Sequence, residues 1–194
     1  MNIGVFSDIH GDLKALETVL DRLDNEHKVD YILCAGDLVG RGPHPNEVVD
    51  IMRERGIPSV RGNHDEWVYG LTPENNAYLK SLPLDLRCVY ENIDIFMCHG
   101  KPGSNMWGLY HDHVSSTLLR MMLETLRADI LITGHTHVPM YVQTDRGCVI
   151  NPGSAYYTFN SMRTSSRSFG IARLPALTFE LYDVVTGRSR PFKR

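Results

Sequence analysis

The chain has 194 residues, of which 42% are hydrophobic and 22% are charged, and its formal net charge is −3. This length suits one domain with a sizeable core, so we expect a single folded domain over residues 1–194. The slightly acidic charge argues against a large nucleic-acid surface, which needs a strongly basic balance.

The first half of the chain alternates between strand and helix patterns. Short apolar runs predict strands at 2–7, 31–36 and 57–62. Apolar residues at helical spacing predict helices at 12–25, 45–56 and 74–82. Asp12 is well placed to cap the first of these helices. This alternation predicts a parallel sheet with crossover helices.

The second half of the chain is dominated by strand patterns. They cover residues 86–91, 93–100, 129–133, 139–143, 147–151, 168–174 and 177–184. One helix is predicted at 114–127, after a loop rich in glycine, proline and aromatic residues. Hairpin turns at 144–147 and 174–177 predict a second, largely antiparallel sheet. The basic end of the chain, 187–194, is predicted to be a mobile tail.

The cysteines and the N-terminus predict a cytoplasmic protein. All four cysteines lie within or beside apolar runs, and no two of them form a C-x-x-C pair, so we expect buried free thiols. They are Cys34, Cys88, Cys98 and Cys148. The first twelve residues lack the basic region of a signal peptide, and no run reaches the ~20 apolar residues of a membrane helix.

Metal-binding residue types follow five of the predicted strands. They are Asp8 and His10, Asp37, Asn63 and His64, His99, and finally His135 and His137. Two face-to-face sheets with helices on their outer faces would bury every apolar run, and ligands of such α/β folds gather beyond the carboxyl ends of the strands. We therefore expect these side chains to meet at one rim.

Each of these residues alone has an ordinary explanation as a helix cap, a turn residue or a core histidine. Seven such groups at one rim would cost a great deal of desolvation unless they were paired or bound to metal. Imidazole and carboxylate ligands without cysteine suit Mn, Fe, Zn, Co or Ni better than Ca or Mg. Seven ligands fit two ions sharing a carboxylate, and two ions ~3.5–4 Å apart form a clamp for displacement at phosphorus.

The order of these motifs is more specific than any one of them. The chain carries D-x-H at 8–10, G-D at 36–37, G-N-H-D at 62–65, a lone His99 and G-H-x-H at 134–137. This order resembles the calcineurin-like metallophosphoesterases, over most of the chain, and looks most like their compact prokaryotic phosphodiesterase branch. The resemblance implies a four-layer α-β-β-α sandwich of two mixed sheets and a metal-dependent phosphoric ester hydrolase.

The resemblance also implies a role for each candidate ligand. The first ion would be held by Asp8, His10 and His137. The second would be held by Asn63, His99 and His135, with Asp37 as the bridge between both. The implied cofactors are two divalent or trivalent transition-metal ions, manganese first, with Fe, Zn, Ni or Co as alternatives.

His64 is expected to stay off the metals and to act as the general acid, while a metal-bridging hydroxide attacks phosphorus in line with the leaving group. One position departs from the G-D-x-x-D-R-G motif of the superfamily's protein phosphatases, because Gly40 stands where their second aspartate orients the histidine. Asp65 or a backbone carbonyl is expected to replace it. Arg41 matches the motif's arginine and is a candidate for substrate binding, with a solvated surface arginine as the alternative.

The substrate class stays open at this stage. We expect a small phosphoester, with nucleic acid only as a substrate, no membrane partner, and a homo-oligomer as one option. Trp107 and Tyr110 in the loop 101–113 either stack on an aromatic group of the substrate or pack the loop onto the body. Arg163 and Arg167 either attract a polyanion or belong to a solvated loop. The alternative functions are a phosphoprotein phosphatase, a dinucleoside-polyphosphate hydrolase, and a non-enzymatic scaffold.

Overall fold

The computed structural model describes residues 1–156 and 167–192, and its strands and helices follow the apolar runs of the sequence. Within these ranges the strands are β1 (Asn2–Phe6), β2 (Tyr31–Cys34), β3 (Asp85–Tyr90), β4 (Ile93–Cys98), β5 (Ile130–Ile132), β6 (Met140–Gln143), β7 (Cys148–Asn151), β8 (Ser168–Arg173), β9 (Thr178–Asp183) and β10 (Ser189–Arg190). The α-helices are α1 (Leu13–Asp21), α2 (Pro45–Glu54), α3 (Pro73–Ser81) and α4 (Ser116–Leu126).

The strands form two mixed sheets of five strands each. Their orders are β10-β9-β8-β1-β2 and β3-β4-β5-β7-β6. In the first sheet β1 and β2 are parallel, while β8 and β9 form the expected hairpin. In the second sheet β5 is parallel to both β4 and β7, and β3 and β6 are antiparallel edge strands. The two mixed sheets implied by the resemblance are confirmed. The division into one parallel and one largely antiparallel sheet is wrong, because the hairpin β8-β9 joins β1 and the hairpin β6-β7 joins β5.

Alternation of side chains along the strands builds the layers. Ile3 and Val5 of β1 face the second sheet, where they pack with Ile95 of β4 in the core between the sheets. Phe6 faces the other way and packs with α1, α2 and α3, which cover the first sheet. Leu123 of α4 packs on the outer face of the second sheet. The result is the predicted four-layer α-β-β-α sandwich.

The first helix begins as predicted and ends differently. The Asp12 side chain accepts a hydrogen bond from the backbone N–H of Ala15, which satisfies one of the free donors of α1. The α-helical part ends at Asp21, and residues Arg22–Glu26 continue as a wider π-helical turn. Leu23 in this turn lies against Gly4 of β1, where any β-carbon would come within 2.7 Å of the leucine side chain.

The strand predicted at 57–62 is wrong. Only Ser59 forms an isolated parallel bridge, with Cys34 of β2. Pro58 has no N–H to donate to a ladder, so this segment cannot continue as a strand beside β2. The chain still runs along the edge of the first sheet, and it carries Asn63 and His64 to the same rim.

The prediction of a mobile tail at 187–194 is wrong for the residues that are described. Ser189 and Arg190 pair with β9, and Arg190 lies 3.6 Å from the carboxylate of Asp183. The ring of Phe192 packs against Tyr141 and Phe179, with centroid distances of 5.8 and 5.9 Å. The prediction failed because it followed the basic composition of the segment and overlooked the apolar side chain of Phe192. Residues 193–194 lie outside the described ranges.

The cysteines are free, and Cys34, Cys98 and Cys148 are buried while Cys88 is half-buried. Burial raises the pKa of the Cys98 and Cys148 thiols to about 12 and that of Cys88 to about 11. Such thiols stay protonated at neutral pH, so they act as small apolar side chains rather than nucleophiles. Among the described helices, none has both the length and the apolar character needed to cross a membrane.

Candidate metal centre

The carboxyl ends of four strands meet at one rim of the sandwich. Asp8 follows β1, Asp37 follows β2, His99 follows β4, and His135 and His137 follow β5. Because β1 and β2 are parallel, and β4 and β5 are parallel, each sheet delivers its turns to the same edge. Asp8, His10, Asp37 and His99 are almost completely buried there.

Five of the candidate ligands have left-handed backbone conformations. Their φ angles are 57° at Asp8, 54° at His10, 55° at Asp37, 65° at His135 and 58° at His137. This region costs a non-glycine residue of order 1–3 kcal/mol, and it persists only where the surrounding structure enforces it. Sharp turns of this kind after β1, β2 and β5 bend the side chains back over the sheet ends, toward one another.

The first cluster contains Asp8, His10, Asp37 and His137. One ligand atom from each of these residues lies within 4.8 Å of the others. The Nε2 atoms of His10 and His137 are 3.1 Å apart, and His137 Nε2 is also 3.1 Å from Asp8 Oδ1. Four donors at such distances surround a space that a single cation can fill.

The second cluster lies beside the first and contains Asn63, His99 and His135. Asn63 Oδ1 is 3.1 Å from His99 Nε2 and 2.9 Å from His135 Nδ1. Asp37 Oδ2 is 3.3 Å from His99 Nε2 and 3.8 Å from His10 Nε2, so one carboxylate oxygen faces both clusters. All seven residues predicted from the sequence are therefore brought together.

Backbone carbonyls fix the direction of two of the imidazoles. His10 Nδ1 faces the carbonyl oxygen of Val39 at 3.3 Å, and His99 Nδ1 faces that of Ala35 at 2.7 Å. A proton on each Nδ1 satisfies these contacts and directs both Nε2 atoms at the clusters, where a bound cation would replace any proton on Nε2. Burial lowers the pKa of His10 to about 4, which keeps this ring neutral.

The donor set fits a cation. Asp8 Oδ1 is buried, and the nearest imidazole nitrogen to it is His137 Nε2, at 3.1 Å. Burial alone would raise the pKa of Asp8, but the neighbouring imidazoles of His137, His99 and His10 hold it well below its usual range. Burial would lower the pKa of His99, but hydrogen bonding and charge from Asp37 raise it to about 9. Buried carboxylates that demand positive charge, and imidazoles with inward lone pairs, are the chemistry of a metal site.

Comparison with known proteins decides the family. The sequence profile of the calcineurin-like phosphoesterase superfamily domain matches residues 1–174. The chain belongs to this superfamily. Members of this family are metal-dependent, and the chain is accordingly a metal-dependent phosphoric ester hydrolase.

Relatives from archaea and bacteria share this fold. An uncharacterised protein of Methanocaldococcus jannaschii is 30% identical over 78% of this chain and 75% of its own length. A metallophosphoesterase structure from Sphaerobacter thermophilus aligns with a TM-score of 0.72 and 26% identity, over 98% of this chain and 89% of that one. A Pyrococcus horikoshii protein has a TM-score of 0.80 at 17% identity, over 94% of this chain and 87% of its own, which shows the fold alone.

His64 lies beside the first cluster without joining it. Its ring is half-buried and meets the ring of His10 edge-on, with a centroid distance of 4.9 Å. Its backbone N–H donates to Asp37 Oδ1 at 2.9 Å, and its Nε2 is 3.4 Å from a guanidinium nitrogen of exposed Arg41. Burial lowers the pKa of His64, and the charge of Arg41 acts in the same direction.

Gly40 explains why no aspartate orients His64 in this phosphoesterase. A β-carbon at Gly40 would lie 2.8 Å from the β-carbon of His64 and 3.0 Å from its Nδ1. Gly40 also has a φ of 119°, which side chains rarely adopt. The chain therefore packs the histidine directly against the glycine backbone.

Asp65 has a different role from the one expected. It does not orient His64: its Oδ2 accepts from the N–H groups of Asp37 and Gly62, at 3.1 and 2.8 Å, and its Oδ1 accepts from Val39 at 3.2 Å. Burial and the charge of Asp37 raise the pKa of Asp65 to about 7. This buried carboxyl ties the loop after β2 to the G-N-H-D loop. Its place in the motif was visible in the sequence, but its partners were not.

Tyr156 was missed by the sequence analysis. Its ring lies 5.6 Å from that of His10, and its backbone N–H donates to the carbonyl of Asp8 at 3.1 Å. Tyr156 follows β7. Because functional residues collect beyond strand ends, its position after a predicted strand could have marked it as a candidate. Arg167 Nη2 is 3.1 Å from Asp12 Oδ2, at the start of α1. Arg163 lies outside the described residues.

The loop 101–113 lies over the second cluster. A β-carbon on Gly108 would come within 2.9 Å of the His135 ring, so the loop backbone contacts that ligand closely. Trp107 is 69% exposed and Tyr110 is 44% exposed. Trp107 therefore does not hold the loop against the rest of the domain.

Proposed function

We propose that this phosphoesterase is a dinuclear-metal phosphodiesterase. The first ion is assigned to Asp8, His10 and His137, and the second to Asn63, His99 and His135, with Asp37 between them. The observation that carries this proposal is Asp37 Oδ2, which lies 3.8 Å from His10 Nε2 and 3.3 Å from His99 Nε2. An oxygen shared by two donor clusters supports two ions and not one.

Manganese is the first choice of metal, and iron, zinc, nickel and cobalt are the alternatives. The ligand set is rich in imidazole, contains two carboxylates and an amide oxygen, and has no thiolate. Such sites suit first-row transition metals better than Ca or Mg. Two ions bound here would supply Lewis-acid activation of water and of the phosphoryl oxygens.

His64 is assigned as the general acid. Its ring meets that of His10 edge-on at 4.9 Å beside the first cluster, and it is not one of the four residues whose ligand atoms lie within 4.8 Å of one another. Histidine is the side chain that most often transfers a proton to or from a reacting group. Arg41, at 3.4 Å from His64, is assigned to bind a phosphoryl oxygen of the substrate.

A diester preference is supported by Gly40. The carboxylate that the phosphatase motif has at this position is missing, and the space it would need is filled by His64. A diester also presents one charge fewer than a monoester, so it requires less positive charge from the side chain of Arg41. The buried free thiols support a cytoplasmic site of action.

Two measurements test the proposal. Elemental analysis after reconstitution with manganese should give close to two ions per chain. The manganese-loaded protein should then hydrolyse bis(p-nitrophenyl) phosphate faster than p-nitrophenyl phosphate. A metal content near zero without metal-dependent activity would refute the metal assignments, and a clear excess of monoesterase activity would refute the diester preference.

A dinucleoside-polyphosphate hydrolase or protein phosphatase is the second candidate. A symmetrical bis(5'-nucleosyl)-tetraphosphatase of Erwinia tasmaniensis is 37% identical, but over only 34% of this chain and 24% of its own length. Serine/threonine-protein phosphatase 2 of Escherichia coli is 34% identical over 41% of this chain. These local matches make both substrates worth including in the panel.

A scaffold without catalysis is the third candidate. A zinc complex of Vps29 from Entamoeba histolytica aligns at 26% identity with a TM-score of 0.67, over 98% of this chain. Retention of all seven candidate ligands and of His64 favours the enzyme, because a scaffold has no need of a general acid. Metal-dependent turnover in the panel above separates the two.

A further inference from the structure

Both tryptophans of the chain are exposed. Trp67 is 75% exposed and Trp107 is 69% exposed, and neither belongs to any of the three cores. Large aromatic side chains are normally among the most extensively buried, and exposed apolar patches mark sites of contact. Neither indole packs in a core of the described fold. These exposed rings are therefore candidates for binding a ligand.

Each tryptophan lies next to the candidate metal centre, on a different side. The backbone N–H of Trp67 donates to the carbonyl of His64 at 3.4 Å, so only a tight turn separates it from the proposed general acid. Trp107 directly precedes Gly108, whose backbone lies against the ring of His135. The backbone that carries one indole therefore adjoins His64, and the backbone that carries the other adjoins the second cluster.

The two loops that carry the tryptophans are joined. The Asn105 side-chain amide donates to Glu66 Oε1 at 2.9 Å, and these residues lie two before Trp107 and one before Trp67. Glu66 is also 3.7 Å from Arg61, which ties the same loop to the body. Tyr69 and Met106, 93% and 54% exposed, extend the apolar surface on both loops.

We propose that Trp67 and Trp107 stack on the base of the substrate, and that the substrate class is therefore a nucleotide phosphoester. This inference rests on the proposed phosphoesterase function, since it assigns the group attached to the phosphate. Exposed indoles present flat faces that pair with the flat face of any nucleobase. The phosphate would then bind at the candidate metal centre while the base lies against the two indoles.

The test uses the manganese-loaded protein and two ligands that share a sugar phosphate. AMP carries a base and ribose 5-phosphate does not. Because stacking changes indole emission and the chain has no other tryptophan, AMP should change the tryptophan fluorescence and ribose 5-phosphate should leave it nearly unchanged. By calorimetry, AMP should bind roughly 5- to 140-fold more tightly, the usual effect of one stacked base.

Variants identify the residues responsible. Trp67→Ala and Trp107→Ala should each weaken AMP binding toward that of ribose 5-phosphate, without changing the affinity for ribose 5-phosphate. Trp67→Phe should retain most of the AMP affinity, since phenylalanine still offers a ring. Tyr31→Ala removes an exposed aromatic ring at the opposite end of β2 and should have no effect on either ligand.

The results separate this inference from the proposed function. Equal affinity for AMP and ribose 5-phosphate, or an equal loss of both in the tryptophan variants, overturns the stacking role. If diester hydrolysis persists alongside that result, only the substrate class is wrong. If no ester is hydrolysed by the loaded protein, the proposed function fails, while the comparison of the two ligands still decides whether the indoles bind a base.

Discussion

At the scale of single residues, the candidate site depends on charge balance. Asp8 and Asp37 are buried carboxylates within reach of four imidazoles, and Asp8 Oδ1 lies 3.1 Å from His137 Nε2. A buried charge of this kind costs several kcal/mol unless it is compensated. Removing one charge from this set therefore should affect metal affinity far more than it affects packing.

Asp37→Asn should be the most damaging single ligand change. The amide removes the negative charge that faces both clusters, so both ions should bind more weakly, by at least tenfold, as for a lost metal ligand or its partner. His137→Ala should mainly weaken the first ion. Metal titration followed by calorimetry measures both variants. Near-native affinity for two ions in Asp37→Asn would exclude the bridging assignment.

His64→Asn should keep full metal content and lower kcat by roughly 10²–10⁴, the usual contribution of a general acid. The loss should be smaller for a nitrophenyl ester than for an alkyl ester, because an acidic leaving group needs little protonation. Comparing both substrates in both proteins measures this difference. An equal loss would indicate that His64 binds the phosphoryl oxygens, and a loss of metal would make it a ligand.

At the scale of elements, the candidate site is assembled from turns after strands, and one carboxyl connects two of them. Asp65 accepts from three backbone N–H groups, two of them in the turn after β2 and one in the G-N-H-D loop. Gly62 packs closely here, since a β-carbon would lie 2.0 Å from Asp37 Oδ1. The position of Asp37 thus depends on contacts between loops as well as on β2.

Asp65→Asn should destabilise the protein by about 2–4 kcal/mol, because the amide NH₂ group faces backbone donors that lose their acceptor. Metal affinity should fall with it, since the Asp37 turn is no longer fixed. Urea unfolding and metal titration measure the two effects. The matched control is Asp85→Asn, an exposed carboxylate on β3, which should stay within about 0.5 kcal/mol of the native chain. Native behaviour of Asp65→Asn would show that the loops are fixed by other contacts.

The sequence predicted the elements that carry strong local patterns. Apolar runs fixed the strands before Asp8, Asp37 and His135 because these strands are buried on both faces. The strand at 57–62 was wrong, because Pro58 and the edge of the sheet decide pairing there. The function of Asp65 and the contact of Tyr156 with His10 could not be predicted, since both depend on distances between segments that are far apart in sequence.

At the scale of the whole molecule, the three hydrophobic cores predict that the chain folds without metal. The two sheets bury their facing side chains in one core, and helices cover both outer faces. Bound ions should therefore add stability to a chain that is already folded, in contrast to small zinc domains that unfold without metal.

Manganese should raise the melting temperature of the metal-free protein without changing its far-UV circular dichroism. Free metal at 100 times its Kd stabilises by about 2.7 kcal/mol per site, which corresponds to roughly 5–10 °C for a chain of this size. Differential scanning calorimetry with increasing manganese measures the shift. The Asp37→Asn protein serves as the control and should shift far less. Unfolding on chelation would mean that the ions are part of the fold itself.

The residues of the first cluster are far apart in the sequence, and this separation determines when the cluster can form during folding. His10 and His137 face each other at 3.1 Å although 127 residues separate them in sequence. Because synthesis starts at the N-terminus, β1 and β2 are complete long before His137 leaves the ribosome. Loop closure over so many residues is slow compared with local helix formation. Metal binding at the first cluster should therefore be a late event, because a chain that stops short of β5 carries Asp8, His10 and Asp37 but lacks His137.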